Sequence, residues 1–221
     1  MRTAARTAGF LSLWCIAMLV LMFSKPSFTN ASKPQHGIPD PVLALQMARN
    51  ISDVDAVLGD VPSPDREVMR VKQYEDFGFI AGYATLYLTL SFMLARKYPR
   101  FRLVAILAAI AGIAAAVLDV RENFAILRIV DVTLAATTQD MIDAIRRLAV
   151  PKWALGFIAI GLLSVYFLKD RRWATRVVGA IYALAAVVGL YGLINNAILA
   201  FGAALIALGL IGSAAVFLLL L

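Results

Sequence analysis

The chain has 221 residues, of which 62% are hydrophobic and 16% are charged. Ordinary soluble domains contain about 45–50% apolar and about 25% charged residues, so the composition argues against a soluble globular protein. The net charge of +7 does not indicate nucleic-acid binding, because the basic residues lie in short segments between uncharged apolar runs. The sequence therefore predicts a membrane protein whose main partner is the lipid bilayer, with no nucleic-acid partner.

Six uncharged apolar runs follow one another along the chain. Since about 20 helical residues cross a hydrocarbon core of ~30 Å, each run is predicted to form one transmembrane helix. The last two runs meet at Asn195 and Asn196, and a tight turn is predicted there because one continuous helix would be far longer than a bilayer is thick. The sequence thus predicts an all-α, polytopic transmembrane helix bundle with six spans, at residues 9–23, 77–95, 103–118, 153–168, 177–194 and 197–221.

The first run has a second interpretation. A basic start, an apolar stretch and Thr29-Asn30-Ala31 together have the outline of a signal peptide, whose cleavage would leave five spans. We expect an uncleaved anchor instead. Cys15, the only cysteine, lies in this run and is expected to be a buried, small apolar side chain.

Basic residues are distributed unequally between the two sides of the predicted bundle. With the N-terminus inside, the inner segments contain ten Lys and Arg residues and one acid, Asp170, whereas the outer segments contain eleven basic residues and thirteen acids. Short basic loops are typical of the cytoplasmic side. The sequence therefore predicts a multi-pass protein with both termini in the cytoplasm.

Residues 24–76 are predicted to form a small helical outer cap on the extracytoplasmic side. The segment begins with an irregular, proline-containing part that includes His36, the only histidine. Because no second histidine or extramembrane cysteine can join it in a metal site, we interpret His36 as an exposed loop residue.

Capping signals predict three helices after this irregular part. Asp40-Pro41 has the pattern of an N-cap followed by the first helical residue. Ser52 with Asp55 predicts a capping box for a second helix, which Gly59 would end. Ser63-Pro64 predicts the start of a third helix that continues into the second span.

Small and bulky residues lie on opposite faces of the predicted third span, at 100° per residue. One face carries Ala105, Ala108, Ala109, Gly112, Ala115, Ala116, Asp119 and Asn123, with Glu122 at its border. The other face carries Leu103, Ile106, Leu107, Ile110, Val117 and Arg121. Small residues let helices approach closely and bulky aliphatic residues suit lipid, so the first face is predicted to contact protein.

A polar site is predicted near the outer ends of the second and third spans, with the candidate residues Asp76, Tyr83, Asp119, Glu122 and Asn123. Ionisable groups near the hydrocarbon core are costly and often bind a cation or transfer a proton. The alternative interpretation is structural, because the third run is short enough to leave Asp119 at the membrane interface. On the opposite face of the second span, Gly78 and Gly82 form a GxxxG pattern that predicts close helix packing.

Signatures of common enzyme classes are absent from the sequence. It contains no G-x-S-x-G, no H-E-x-x-H, no Cys/His metal spacing and no P-loop. The sequence therefore predicts no catalytic residue, no cofactor and no metal site, and it gives little support to an enzyme.

The polar motifs also support a family resemblance. Tyr74-Glu75-Asp76-Phe77-Gly78-Phe79-Ile80, ending near Tyr83, is followed by a basic loop, by Asp119-x-x-Glu122-Asn123 and by Leu127-Arg128. Over about residues 40–168 this pattern resembles a family of small bacterial integral membrane proteins. The resemblance implies the bacterial inner (plasma) membrane and a four-helix core, to which the last two spans add a C-terminal hairpin. The family has no assigned activity, so the resemblance implies no function.

Three functional hypotheses follow from these features. The first is a non-catalytic scaffold, an accessory subunit or a binder of a small molecule or lipid, acting with a membrane-protein partner or as a homo-oligomer. The second is a small proton- or cation-coupled transporter that uses Asp119 and Glu122. The third is a membrane-embedded lipid-modifying enzyme. The depth of the carboxylates discriminates between the first two, since a carboxylate well below the headgroups favours transport and one at the surface favours structure.

Overall fold

The computed structural model describes residues 1–24, 26–29 and 37–219, and these residues contain eight α-helices and no β-strand. The helices are α1 (Arg2–Phe23), α2 (Pro41–Gln46), α3 (Ile51–Leu58), α4 (Pro64–Lys97), α5 (Arg102–Val130), α6 (Gln139–Leu168), α7 (Trp173–Gly192) and α8 (Asn196–Leu219). Short 3-10 helices at Pro99–Phe101 and Leu134–Ala136 precede α5 and α6. The all-α prediction is confirmed, whereas His36 lies outside the described residues.

Six helices of the described chain (α1, α4, α5, α6, α7 and α8) are long and apolar enough to cross a membrane, by length and composition. This confirms the predicted number of spans and indicates a multi-pass membrane protein. Helices α4, α5 and α6 have 34, 29 and 30 residues. At 1.5 Å per residue they are about 45–50 Å long and extend beyond a ~30 Å hydrocarbon core.

All three long helices extend beyond their predicted spans at the same end of the bundle. This end, which we call the cap end, contains the start of α4, the end of α5, the start of α6 and the short helices α2 and α3. We call α2 and α3 the cap layer. The opposite end contains the loops at residues 96–102 and 169–176, and we call it the basic end.

Side-chain caps explain where the cap-layer helices begin. Asp40 Oδ1 accepts a hydrogen bond from the Leu43 amide at 2.8 Å, as the sequence predicted for α2. The predicted capping box at Ser52 and Asp55 is wrong, because Asn50 caps α3 by accepting from the Asp53 amide at 3.1 Å. Asn caps as well as Ser does, and Asp53 accepts from the amide of Arg49, one residue before the cap, at 2.7 Å.

The end of α3 and the start of α4 follow the sequence prediction. Gly59 ends α3 with a φ of 65°, a left-handed conformation that glycine adopts at little cost. Ser63 caps α4, which then runs without interruption through the second predicted span. The turn predicted at Asn195 and Asn196 also exists, because α7 ends at Gly192 and α8 begins at Asn196.

The membrane helices form a closed ring in the order α1, α4, α5, α6, α7, α8, with α8 packed back against α1. Close packing of α1 on α4 occurs at the predicted GxxxG, where Gly82 faces Trp14 and the Gly78 carbonyl accepts a hydrogen bond from Trp14 Nε1 at 2.9 Å. The C-terminal hairpin lies between α6 and α1. It is joined to α6 by the rings of Phe167 and Phe217, whose centroids are 5.6 Å apart.

The two predicted faces of the third span are confirmed in α5. Its buried residues include the small and polar positions Ala105, Ala108, Gly112, Ala115, Ala116, Asp119, Glu122 and Asn123. The exposed residues include Leu103, Ile106, Leu107, Ile110, Val117 and Arg121. Ala109 is partly exposed. A side chain at Gly112 would collide with the ring of Tyr87, so the small face allows α4 and α5 to approach each other.

The C-terminal end of α5 is held by a buried arginine of α4. Arg66 Nη1 donates hydrogen bonds to the carbonyl oxygens of Ile129 and Val130, at 3.0 and 3.2 Å, and to that of Val132. The last carbonyls of a helix have no intrahelical partner and carry partial negative charge, so a cation stabilises them. Arg66 therefore fixes the cap end of α5 to the start of α4.

Candidate functional site

A buried lysine of α6 lies between two carboxylates of α5. Lys152 Nζ is 3.0 Å from Asp119 Oδ1 and 2.5 Å from Glu122 Oε2. The exposed fractions of Lys152, Asp119 and Glu122 are 6%, 7% and 0%. Asp119 and Glu122 are three residues apart on the protein-facing side of α5, which directs both side chains toward α6.

Helix α4 contributes two further contacts to this region. The Tyr83 hydroxyl donates to Asp119 Oδ2 at 2.9 Å, and Asn123 Nδ2 donates to Asp76 Oδ2 at 2.8 Å. Asn123 is fully buried, whereas Asp76 is partly exposed. The structure thus brings together all the residues of the predicted site and adds Lys152. We call the set the polar cluster: Asp76, Tyr83, Asp119, Glu122, Asn123 and Lys152.

Lys152 was missed by the sequence analysis because it precedes the apolar run at 153–168. A signal for it was available, since a run of 16 residues is too short to cross a bilayer and must be extended at one end. Helix α6 is extended at its N-terminal end by residues 139–152, and Lys152 is the residue of this extension that adjoins the apolar run. The residues that flank the short apolar runs were therefore candidates for the polar partner of a membrane carboxylate.

The cap layer contacts α6 at the residue next to Lys152. Lys152 Nζ lies 5.1 Å from the centre of the Trp153 ring, a distance at which the ring face attracts a cation. Trp153 Nε1 in turn donates to Gln46 Oε1 of α2 at 2.9 Å. This chain of contacts links the ammonium group to a buried residue of the cap layer.

The position of the cluster along the helices follows from the helical rise. Counted from Arg102 in α5 and from Leu168 in α6, the rise of 1.5 Å per residue places Asp119 and Lys152 about 25 Å away from the basic end. In a hydrocarbon core of ~30 Å the cluster then lies near the boundary at the cap end. The cap layer and the long helices enclose it there, so Asp119 and Glu122 are buried although they are not at the bilayer centre.

The charges of the cluster are not balanced by its own residues. Asp76, Asp119 and Glu122 supply three carboxylates and Lys152 supplies one ammonium, so the fully ionised cluster has a net charge of −2. Glu122 Oε1 and Asn123 Oδ1 are buried and have no hydrogen-bond donor within the described part of the chain. No group of three His, Cys, Asp or Glu residues in that part is arranged to hold a metal ion.

Comparisons of the chain with protein families, with curated proteins and with solved structures gave no match. The resemblance to small bacterial membrane proteins therefore stays a prediction. The function has to be argued from the geometry of the cluster.

Proposed function

We propose that this chain is a small membrane carrier whose polar cluster binds and releases protons. The observation that carries the proposal is the placement of three carboxylates, two of them buried and Asp76 partly exposed, around a single ammonium group. Transferring an ion from water into the protein interior costs several kcal/mol unless a counter-charge or hydrogen bonds compensate for it. Lys152 compensates for one carboxylate, so the others are expected to bind protons in at least one state of the protein.

The contacts of each carboxylate favour particular protonation sites. Asp119 receives both the Lys152 ion pair and the Tyr83 hydrogen bond, which stabilise its ionised form. Glu122 shares the same ammonium and has one oxygen without a donor, and Asp76 receives only the amide of Asn123. We therefore propose Glu122 and Asp76 as the proton-binding residues, with Asp119 as the counter-ion of Lys152.

A structural role is the second candidate function, and the position of the cluster near the membrane boundary at the cap end favours it. Every contact within the cluster joins two helices: Tyr83 to Asp119 and Asp76 to Asn123 connect α4 with α5, and Lys152 connects α5 with α6. Buried polar contacts of this kind specify how helices pair in a membrane. In a non-catalytic scaffold or accessory subunit, the cluster would keep one protonation state.

The lipid-modifying enzyme receives the least support. Such an enzyme needs a concave pocket with converging polar groups. One surface groove of about 510 Å³ is lined by Met1, Thr3, Ala4, Thr7, Leu88, Thr89 and Phe92, and another of about 450 Å³ is lined by Asp143, Arg146, Arg147, Val150 and Pro151. Neither groove includes a residue of the polar cluster.

The proposed orientation places the basic end in the cytoplasm of a bacterial cell and the cluster beneath the extracytoplasmic surface. The support is the positive charge of the loops at residues 96–102 and 169–176, which is typical of cytoplasmic loops. Protons would then enter the cluster from the cap end, where Asp76 is partly exposed.

Infrared spectroscopy of the purified protein tests proton binding without knowledge of a transported substrate. A protonated carboxylic acid has a C=O stretch that a carboxylate lacks. We expect such a band near neutral pH in the wild-type protein, its loss as the pH rises, and its reduction in the Glu122→Gln and Asp76→Asn variants. Glu67→Gln is the matched control, because the side chain of Glu67 is 68% exposed on α4.

The outcomes separate the two candidate functions. Absence of the band near neutral pH would show that all carboxylates are ionised and would reject the proposal. A band that is lost in Glu122→Gln but does not change with pH would favour the scaffold. Reconstituted vesicles with a pH-sensitive dye inside extend the test, because a carrier should collapse an imposed pH gradient faster with wild-type protein than with Glu122→Gln.

A further inference from the structure

The basic end of the bundle is built around one partly buried ion pair between two loops. Lys97 Nζ, at the end of α4, lies 2.6 Å from Asp170 Oδ2 in the loop between α6 and α7. Lys169 Nζ lies 5.5 Å from the centre of the Phe101 ring, which connects the same two loops a second time. The loops at residues 96–102 and 169–176 therefore form one continuous surface.

Asp170 is the only acid in these loops, and its carboxylate is already paired with Lys97. Burial alone raises the pKa of Asp170, but hydrogen bonds from Lys97 and from the Arg172 amide outweigh burial and hold this pKa below its ordinary value. The Arg176 Nε group donates to the Asp170 carbonyl oxygen at 2.7 Å. Asp170 thus organises the loops and leaves no free carboxylate for the other basic side chains.

Several exposed arginines at this surface have no anionic partner. Arg96, Arg100, Arg102 and Arg171 are exposed, and none of them forms an ion pair with another described residue. The cap end differs, because Arg70 pairs with Glu67 and Asp131 there, and Arg147 lies near Asp143. Arg49, Arg121 and Arg128 at the cap end also lack an ion pair in the described part of the chain, so the basic end is distinguished by its lack of acids, of which its loops contain only Asp170.

Two features of the backbone and one side chain add to this charge. Helices α5 and α7 begin at the basic end without a side-chain cap, whereas α2, α3, α4 and α6, which begin at the cap end, each have one. Uncapped first-turn amides carry partial positive charge. Trp173, at the start of α7, is 78% exposed, and exposed tryptophans are enriched at the headgroup level of membranes.

We propose that the surface formed by residues 96–102 and 169–176 binds the phosphate-bearing headgroups of anionic phospholipids. Arg100, Arg102 and Arg171 supply the guanidinium groups, which donate paired hydrogen bonds to phosphate oxygens. Trp173 sets the depth at which these groups meet the lipid. The site is independent of the polar cluster, because it lies at the opposite end of the bundle.

Lipid retention in mixed micelles tests this site. The purified protein would be incubated with equal amounts of labelled phosphatidylglycerol and phosphatidylcholine, and the lipid that remains bound would be measured by native mass spectrometry. The wild-type protein should retain phosphatidylglycerol preferentially. Since each basic residue near a membrane surface contributes about 1 kcal/mol of attraction, retention should fall roughly fivefold for each Arg→Gln substitution at Arg100, Arg102 and Arg171.

Two control variants make the result decisive. Replacing the same three arginines with lysine keeps the charge and should preserve most of the preference, which also tests whether the loops still fold. The double substitution Arg146→Gln and Arg147→Gln removes one partly exposed and one exposed basic residue from the cap end and should leave retention unchanged. Micelles present both ends of the protein equally, so altered membrane orientation of a variant does not affect the assay.

The proposal fails if wild-type protein shows no preference for phosphatidylglycerol, or if the triple Arg→Gln variant retains it as well as wild type does. It also fails if the cap-end double variant loses retention to the same extent, because the effect would then depend on total charge alone. Competition by inorganic phosphate at a concentration comparable to that of the lipid would identify a free anion as the ligand and would overturn the lipid assignment.

Discussion

Replacing Lys152 with methionine removes the only ammonium group of the polar cluster and keeps an unbranched side chain of similar length. Asp119 and Glu122 then lose contacts of 3.0 and 2.5 Å, and both remain buried between α4, α5 and α6. Removing one partner of a buried ion pair typically destabilises a protein by about 3–5 kcal/mol, because the remaining charge is uncompensated. We expect a loss at the lower end of this range if the carboxylates take up protons.

A second substitution tests whether the loss arises from the ion pair. In the double variant Lys152→Met/Glu122→Gln, a carboxylate is removed together with the ammonium group, so part of the stability should return. Directly interacting residues show coupling free energies of about 0.5–3 kcal/mol in double-mutant cycles. We therefore expect the double variant to be more stable than the sum of the two single effects predicts.

Equilibrium unfolding in mixed micelles, by titration with sodium dodecyl sulfate, gives the free energy of unfolding for each variant. Lys169→Met is the matched control at the basic end, where the ammonium group is exposed and contacts the Phe101 ring, and it should cost less than about 1 kcal/mol. If Lys152→Met is as mild as this control, or if the double variant is additive, the ion pair does not stabilise the bundle.

Three further predictions concern other parts of the molecule. Asp119→Ala should lower the unfolding midpoint in detergent more than Arg121→Gln, because Asp119 is buried and hydrogen-bonded whereas Arg121 is exposed; equal effects would contradict the assignment of the α5 faces. Hydrogen bonds from the amides of Leu134 and Val61 lower the pKa of Asp60 in the folded protein. Ionised Asp60 should therefore stabilise the fold above the ordinary aspartate pKa of ~3.9, and this stabilisation should be lost as the pH falls through the lower folded-state pKa. This acid sensitivity should be smaller in Asp60→Asn when unfolding midpoints are compared across that pH window. In a Cys15→Ala background, a cysteine at position 138 should react with an impermeant maleimide outside intact cells and one at position 98 should not, and labelling at position 98 would reverse the proposed orientation.

Much of the architecture could be predicted because a bilayer imposes strong constraints. Uncharged runs of sufficient length have few alternatives to a spanning helix, so the six spans were evident from composition alone. The faces of α5 followed from the segregation of small and bulky residues, since helical geometry fixes which positions share a side. The sequence therefore predicted correctly that Asp119 and Asn123 face protein, although it did not show which residues they contact.

The contacts between side chains of different helices could not be predicted in the same way. Lys152 meets Asp119 and Glu122 only because α6 is longer than its apolar run and packs against α5 with a particular rotation. Such a rotation depends on side-chain packing along the whole interface. The capping error at α3 has a local cause, because Asn50 and Ser52 are both favourable N-caps. Asn50 is favoured by two hydrogen bonds of Asp53, whose amide donates to Asn50 and whose carboxylate accepts from the Arg49 amide.

The pairing of Lys152 with α5 also constrains how the protein is made. When α5 leaves the ribosome first, it carries Asp119 and Glu122 toward lipid with no cation to meet them. An unpaired charge in the membrane costs about 2.5–3.5 kcal/mol at the bilayer centre and less near the boundary, where these residues lie. If α6 entered the membrane alone, it would carry the unpaired positive charge of Lys152. Insertion of α5 and α6 together, as one hairpin, lets the ion pair form before either helix faces lipid by itself. Biogenesis of this protein should therefore depend on retaining α5 beside the translocation channel until α6 has been synthesised.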